Sequence, residues 1–219
     1  MRDRIRNLTG IVVAGGKSSR MGQDKAFLDW QGKPLIQAVI ESLVGHVSEI
    51  IVVAKNEEKF KFLKFEKEKQ FERGQAKPQK RFYLSPETLL VADRFPYFSP
   101  LVGIATGLFY SRTEFNFVLA CDMPQVKMGV VERLYESMED FDAALPRSSY
   151  GLEPLCAVYR KSARGVLEAR IRRGSLSVRD ALEDLRVKVV PWDEETREEP
   201  LVFMNLNTPA EYGEGLKND

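Results

Sequence analysis

The chain has 219 residues with 33 Lys and Arg against 32 Asp and Glu, a formal charge of 33 − 32 = +1, and it is 43% apolar and 10% aromatic. That is enough apolar material for a full core, which excludes a disordered chain, and the balanced charge argues against a dedicated nucleic-acid or polyanion binder, whose phosphate affinity needs a surplus of clustered Lys and Arg. A single histidine, His46, in a Gly-His-Val setting that reads as a helix end, leaves little material for a Ser-His-Asp triad or a His-ligated metal, so the chemistry must rely on backbone, Lys, Arg and carboxylates.

The N-terminal MRDRIRN lacks an apolar signal core, and no run approaches the ~20 apolar residues of a membrane span, so a cytoplasmic protein without membrane contact is expected. Leu8 to Ala14 (LTGIVVA) reads as a buried strand ending in Gly15-Gly16. Pro34 opens a helical pattern carried by Leu35, Val39, Ile40 and Leu43, and Gly45 stops it. Ile50 to Ala54 is a second strand. The segment from Asn56 to Arg81 is charge-dense, with Phe60, Leu63, Lys64 and Lys67 at helical spacing. A short strand is expected at Arg81 to Leu84, a helix at Pro100 to Tyr110, and a third buried strand at Phe115 to Ala120, running into Cys121-Asp122-Met123-Pro124 and a further helix. Strands at Asp142 to Leu145 and Leu155 to Tyr159 follow, then a helix from Lys161 to Arg172. Ser177 to Asp180 is an S-x-x-D helix start, Leu201 to Met204 reads as a strand, and Thr208-Pro209-Ala210-Glu211 is a capping box with Pro at the first helical position. Cys121 and Cys156 both sit in apolar runs and read as buried thiols of a reducing compartment.

Continuous apolar strands separated by helices predict an α/β fold: a Rossmann-like, mostly parallel central sheet with helices on both faces, in one domain spanning residues 1–219. Ligands of such sheets bind outside the carboxyl ends of the strands, which singles out Gly15 to Lys25, Asn56 and Asp122. The loop from Gly15 to Lys25 (GGKSSRMGQDK) reads as a phosphate cradle. Consecutive glycines let backbone N–H groups converge on an anion, and Arg20 and Lys25 supply full positive charge. The alternative is a plain strand-to-helix turn with Lys17, Arg20 and Lys25 on a solvated surface. A Walker A loop does not fit, because Gly16-Lys17-Ser18 would require Gly at position 11, which is Ile11, and no G-x-G-x-x-G occurs here.

The run V-V-A-G-G-K-S-S-R-M-G-Q-D-K resembles the L-A-G-G-x-S-x-R-M-G-x-D-K signature of the molybdenum cofactor guanylyltransferases. Ser99-Pro100-Leu101-Val102-Gly103-Ile104 is similar to that family's G-P-L-A-G-I, Cys121-Asp122-Met123-Pro124 to its C-D-M-P, and Asn205-Leu206-Asn207-Thr208-Pro209 to its N-x-N-T-P. Taken together, in order, the four motifs span residues 8 to 212. The resemblance implies a Rossmann-like nucleotidyltransferase fold and transfer of GMP from GTP to the phosphate of molybdopterin, with release of pyrophosphate. It implies Mg²⁺, with Mn²⁺ as the other dication, and GTP and molybdopterin as substrates. The N-terminal half would bind the nucleotide and the C-terminal half the pterin, in a monomer making transient contact with molybdenum-insertion or molybdoenzyme maturation proteins. Rivals are a related enzyme using CTP or a sugar phosphate, and a non-catalytic nucleotide-binding module.

Asp122 directly follows an apolar strand, so its carboxylate should project from the sheet edge and hold the metal, the alternative being a turn Asp that caps the next helix. Arg20 and Lys25 are assigned to the triphosphate, neutralising charge on the leaving pyrophosphate, and Lys17 to the surface. By resemblance the guanine lies against the backbone of Val13, Ala14 and Gly15 beside Gly16, and the double Gly with Asp24-Lys25 favours guanine over cytosine. Asn56 is either a nucleotide contact or the N-cap of a helix starting at Glu57. Asp93 matches a family Asp that contacts the guanosine. Asn205 and Asn207 would point to one side of an extended segment near the metal and the pterin phosphate, or serve turn chemistry. Arg147, Glu153 and Arg179 are acceptor-side candidates by position. Two departures stand out: Ser99 replaces the family's Gly, and the charged stretch from Glu57 to Lys80 is long.

Overall fold

The computed structural model describes residues 5–14, 24–55, 60, 63–65, 82–84, 88–149, 151–192 and 202–206. In chain order, β1 (Ile5–Val13) leads to a hairpin of β2 (Asp29–Trp30) and β3 (Lys33–Pro34), then α1 (Leu35–Leu43) and β4 (Val47–Ala54). A separate parallel pair, β5 (Leu63–Phe65) with β6 (Phe82–Leu84), precedes β7 (Thr88–Ala92), α2 (Pro100–Tyr110), β8 (Phe115–Ala120) and α3 (Met128–Glu136). The remainder is β9 (Ala143–Ser148), β10 (Gly151–Leu152), β11 (Cys156–Arg160), α4 (Arg164–Arg172), α5 (Val178–Leu182) and β12 (Val187–Pro191).

One eight-stranded sheet holds the molecule together, in the order β10-β9-β11-β8-β1-β4-β7 with β12 beside β9. Six strands run the same way, and β10 and β11 run against them. The expected α/β architecture with a mostly parallel sheet is therefore present. β1 lies at its centre, with Val12 opposite Val52 of β4 and Leu119 of β8. From β1 the chain winds outward through β4 to β7, then crosses back to β8 on the other flank. The carboxyl ends of β1 and β8 thus border the point where strand order reverses, where ligands of such sheets bind.

Alternate residues of the central strands feed opposite faces. Leu8 and Val12 of β1 join one core with Val39, Ile40 and Leu43 of α1 and Val130, Val131 and Leu134 of α3. Ile11 and Val13 join the other, with Leu101, Ile104 and Leu108 of α2, Leu167 and Ile171 of α4, and Ala181 and Leu182 of α5. α2 lies unusually close to β1. A Cβ at Gly103 would stand 2.6 Å from Val13 Cγ1, and one at Gly107 would overlap the Ile11 side chain. These two glycines let α2 sit directly on β1.

The helix at Pro100 to Tyr110 and the strand at Phe115 to Ala120 match expectation residue for residue. Ser177 caps α5 as its S-x-x-D pattern predicts, accepting from the Asp180 N–H at 3.2 Å. Three expectations change. Leu63 to Phe65 is a strand, although the spacing around it fits a helix, because the pairing partner β6 lies far along the chain. Residues 202–206 are turn and irregular chain where a strand was expected, since Val202 and Phe203 bury their side chains in the core and Phe203 meets Trp192 edge-on at 5.8 Å. β7 and β12 are additional strands, beyond those expected from the sequence. Cys156 is buried as expected, but Cys121 is only partly so. Among the described residues no helix is long and apolar enough to cross a membrane.

Candidate active site

The chain leaves β1 and β8 side by side. The Cys121 N–H donates to the Val13 carbonyl at 3.1 Å and the Ala14 N–H to the Val53 carbonyl at 2.8 Å. On the far side of β8, the Ala120 N–H donates to the Leu155 carbonyl at 2.9 Å, which fixes the turn before β11 at the same edge. The chain re-enters this edge at Asp24, whose carboxylate accepts from the Ala26 N–H at 3.4 Å and caps one 3₁₀ turn, Lys25–Phe27. Ala26 is fully buried and Phe27 packs on Phe60 with ring centroids 5.0 Å apart, so the turn is anchored from below. Lys25 then reaches Asp122, Nζ to Oδ2 3.4 Å, with both side chains less than a fifth exposed.

Residues 202–206 pack against this edge. The Leu206 N–H donates to the Asp122 carbonyl at 3.0 Å, and the Leu206 side chain joins Trp30 of β2 and Leu35 of α1 in a small core of its own. The hairpin that carries Trp30 turns through Gln31 and Gly32, both at positive φ, so Gly at the second position is what allows its two-residue loop. Asn205, next to Leu206, is thereby held beside Asp122.

Val13, Ala14, Lys25, Asp122 and Asn205 thus stand near one another at the carboxyl edge of β1 and β8. The Val13 carbonyl accepts from the Cys121 N–H and the Ala14 N–H donates to the Val53 carbonyl, so both backbone groups take part in the sheet. Gly15, Gly16, Lys17, Arg20, Asn56 and Asn207 lie outside the described residues, as do the Thr208 capping box and most of the 57–80 stretch.

Asp93 stands at the end of β7, its N–H donating to the Ala54 carbonyl at 3.0 Å. Burial pushes its carboxyl up from the ordinary 3.8 to about 6, against the pull of the Lys55 ammonium. Its Oδ1 is buried without a hydrogen-bond partner among the described residues. A buried, unsatisfied acceptor is costly and is retained where a ligand completes it. On the opposite flank, Glu153 accepts from the Ser148 hydroxyl at 3.3 Å. Burial raises its carboxyl, against the Ser148 hydrogen bond and the Arg179 charge, which lower it. Arg147 lies on β9 one residue before Ser148, exposed, at the same sheet edge.

Burial raises both thiols, and at Cys121 the carboxylates of Asp122 and Asp24 raise it further, which disfavours the thiolate a nucleophile needs. Among the described residues no group of three or more His, Cys, Asp or Glu could hold a metal. One carboxylate is nevertheless a suitable donor for a dication that arrives on phosphates, since Mg²⁺ commonly takes one or two carboxylates and fills the rest with phosphate oxygens and water. Sequence reading missed Lys55, although a lysine directly after an apolar strand, at the carboxyl edge, was visible.

A Rossmann-like sheet with a Gly-rich basic loop after its first strand, and a Lys and an Asp meeting where strand order reverses, defines a nucleotidyltransferase. The chain belongs to the MobA-like NTP transferase family, whose domain model matches residues 10–190. It is 31% identical over 215 residues to a probable molybdenum cofactor guanylyltransferase of Carboxydothermus hydrogenoformans, covering 97% of each chain. Among solved structures it resembles molybdopterin-guanine dinucleotide biosynthesis protein A from Archaeoglobus fulgidus, with a TM-score of 0.74, 28% identity and coverage of 96% of this chain and 97% of that one. A Mycobacterium tuberculosis protein solved in complex with manganese shares the fold, with a TM-score of 0.58 at 16% identity over 97% of this chain and 100% of that one.

Proposed function

We propose that this enzyme transfers GMP from GTP to the terminal phosphate of molybdopterin, releasing pyrophosphate and forming molybdopterin guanine dinucleotide. One observation carries the reading: Lys25 and Asp122, 97 residues apart in sequence, meet at 3.4 Å where strand order reverses. A largely shielded pair of this kind can exchange partners for substrate charges, because the cost of desolvating both ions offsets much of their mutual attraction. On substrate binding Lys25 turns to the triphosphate and Asp122 to the dication that accompanies it. Asp122 would hold that dication, Mg²⁺ or Mn²⁺, which would supply neutralisation of charge on the phosphates.

The pterin phosphate oxygen forms a bond to the α-phosphorus as the bond to the β-phosphate oxygen breaks. The attacking phosphate is already ionised, so no general base is needed and the lone histidine is no handicap. Arg20 joins Lys25 on the β- and γ-phosphates. Val13, Ala14, Gly15, Gly16, Asn56 and Asp93 form the nucleoside side in the N-terminal half, while Asn205, Asn207, Arg147, Glu153 and Arg179 receive the pterin phosphate in the C-terminal half. Charge supports that division: Lys25 and Arg20 flank the triphosphate, Arg147 and Arg179 the acceptor. The free thiols of Cys121 and Cys156 fit a reducing compartment, the cytoplasm.

The test is to incubate the enzyme and Mg²⁺ with molybdopterin and each of the four nucleoside triphosphates, measuring pyrophosphate. Release with GTP alone is expected. Release with CTP, or only when a sugar phosphate replaces molybdopterin, would assign a different substrate, and binding without release would make the chain a nucleotide-binding module.

A further inference from the structure

Lys55 occupies the first position after β4 and is not part of the transfer chemistry described above. Its ammonium donates to two carbonyls of the chain between β7 and α2, Phe95 at 3.2 Å and Tyr97 at 3.3 Å, and lies 4.8 Å from the centre of the Phe98 ring. One side chain thus closes a loop across two strands and shields its charge with carbonyl dipoles and an aromatic face. The loop begins at Asp93, and its two ends are tied elsewhere. At the start, the Arg94 N–H donates to Thr106 Oγ1 at 3.1 Å, and the guanidinium turns outward over Phe109 and onto Glu168 of α4 at 2.8 Å. At the finish, Ser99 caps α2, accepting from the Leu101 N–H at 3.1 Å and donating to the Leu176 carbonyl at 2.6 Å. Lys55 holds the middle of the loop, where Tyr97 and Phe98 are exposed.

We infer that Lys55 is a positioning residue for the nucleoside: its ammonium clasps residues 95–98 and so holds Asp93 at the mouth of the site. This rests on the nucleotide-binding reading and deepens it. The surroundings of Asp93 are simple. β7 and α2 bring no Lys, Arg, Asp or Glu, Arg94 is turned away to Glu168, and Lys55 is the cation whose charge acts on Asp93. Ionised, Asp93 has an unfilled acceptor to offer a nucleoside N–H or O–H. Lys55 then acts twice, by fixing where the carboxylate stands and by keeping it ionised at lower pH.

Lys55→Met keeps the stem and removes the charge and the donors, and Lys55→Arg keeps the charge. In Lys55→Met, hydrogen exchange of the 93–99 amides should accelerate, and KM for the nucleotide should rise about tenfold, the loss expected of charge-assisted bonds, while kcat changes less than about twofold. The acid limb of kcat/KM should move to higher pH, because Asp93 loses the cation that favours its charged form, and Lys55→Arg should restore much of both. In an Asp93→Asn background Lys55→Met should no longer move the limb. Unchanged exchange in 93–99 overturns the clasp. Faster exchange with an unchanged nucleotide KM and pH profile overturns its role in positioning. Turnover of CTP in place of GTP, with a raised CTP KM in Lys55→Met, would refute the guanine assignment and leave the role of Lys55 standing.

Discussion

Asp93→Asn should make the protein more stable at neutral pH while damaging nucleotide binding. The folded chain holds this carboxyl at about 6 against an ordinary 3.8, chiefly because it is buried. For an acid with a raised folded-state value, the native form binds more protons than the unfolded form between those two values. Stability therefore falls as pH rises through that window; the penalty is complete above about 6 and gone below 3.8. The gap corresponds to an upper limit of roughly 3 kcal/mol, and solvent screening of a half-buried group reduces it to about 1 kcal/mol. Asn imitates the protonated carboxyl in shape and removes the penalty. Thermal unfolding at pH 7.5 should show Tm raised by roughly 3 °C for a chain of this size, and the gain should disappear at pH 4. KM for the nucleotide should rise at the same time, as expected where a site stores cost for a ligand. An equal gain at both pH values, or none at pH 7.5, would refute the account of Asp93 as a carboxylate held ionised at a cost.

Asp122→Ala should lower turnover by at least on the order of 10²-fold with Mg²⁺ while leaving the far-ultraviolet spectrum unchanged, with Tm lowered because the shielded Lys25 ammonium loses its partner; retained activity would remove Asp122 from the chemistry. Gly107→Ala should destabilise the fold by about 1–2 kcal/mol in urea unfolding, the overpacking against Ile11 outweighing the helix-propensity gain of alanine. Gly165→Ala in α4, where a Cβ would meet nothing within 4 Å, should instead stabilise by about 0.5–1 kcal/mol. Ser99→Ala should lose the α2 cap and the bond to Leu176, costing about 1 kcal/mol, visible as a lower Tm.

The candidate site was legible in part because its pieces are local. A Gly-Gly pair after an apolar strand, a lysine ten residues on and an aspartate ending another apolar strand each announce themselves without knowledge of what they face. The role of Ser99 was not legible in the same way: the sequence marks it only as a departure from Gly, and its bond to Leu176, 77 residues away, exists only in the folded chain.

Local pattern determined the class. Continuous apolar runs, Gly and Pro stops and the Ser177 cap specify strands, helices and their order, because those signals act within a few residues. Tertiary packing decided the rest: that β8 returns beside β1, that Lys25 meets Asp122, that 202–206 gives up a strand to bury Val202 and Phe203, and that Lys55 reaches over to the loop after β7. These are pairings between segments tens of residues apart, chosen by which faces can be buried together, and no local pattern encodes the partner.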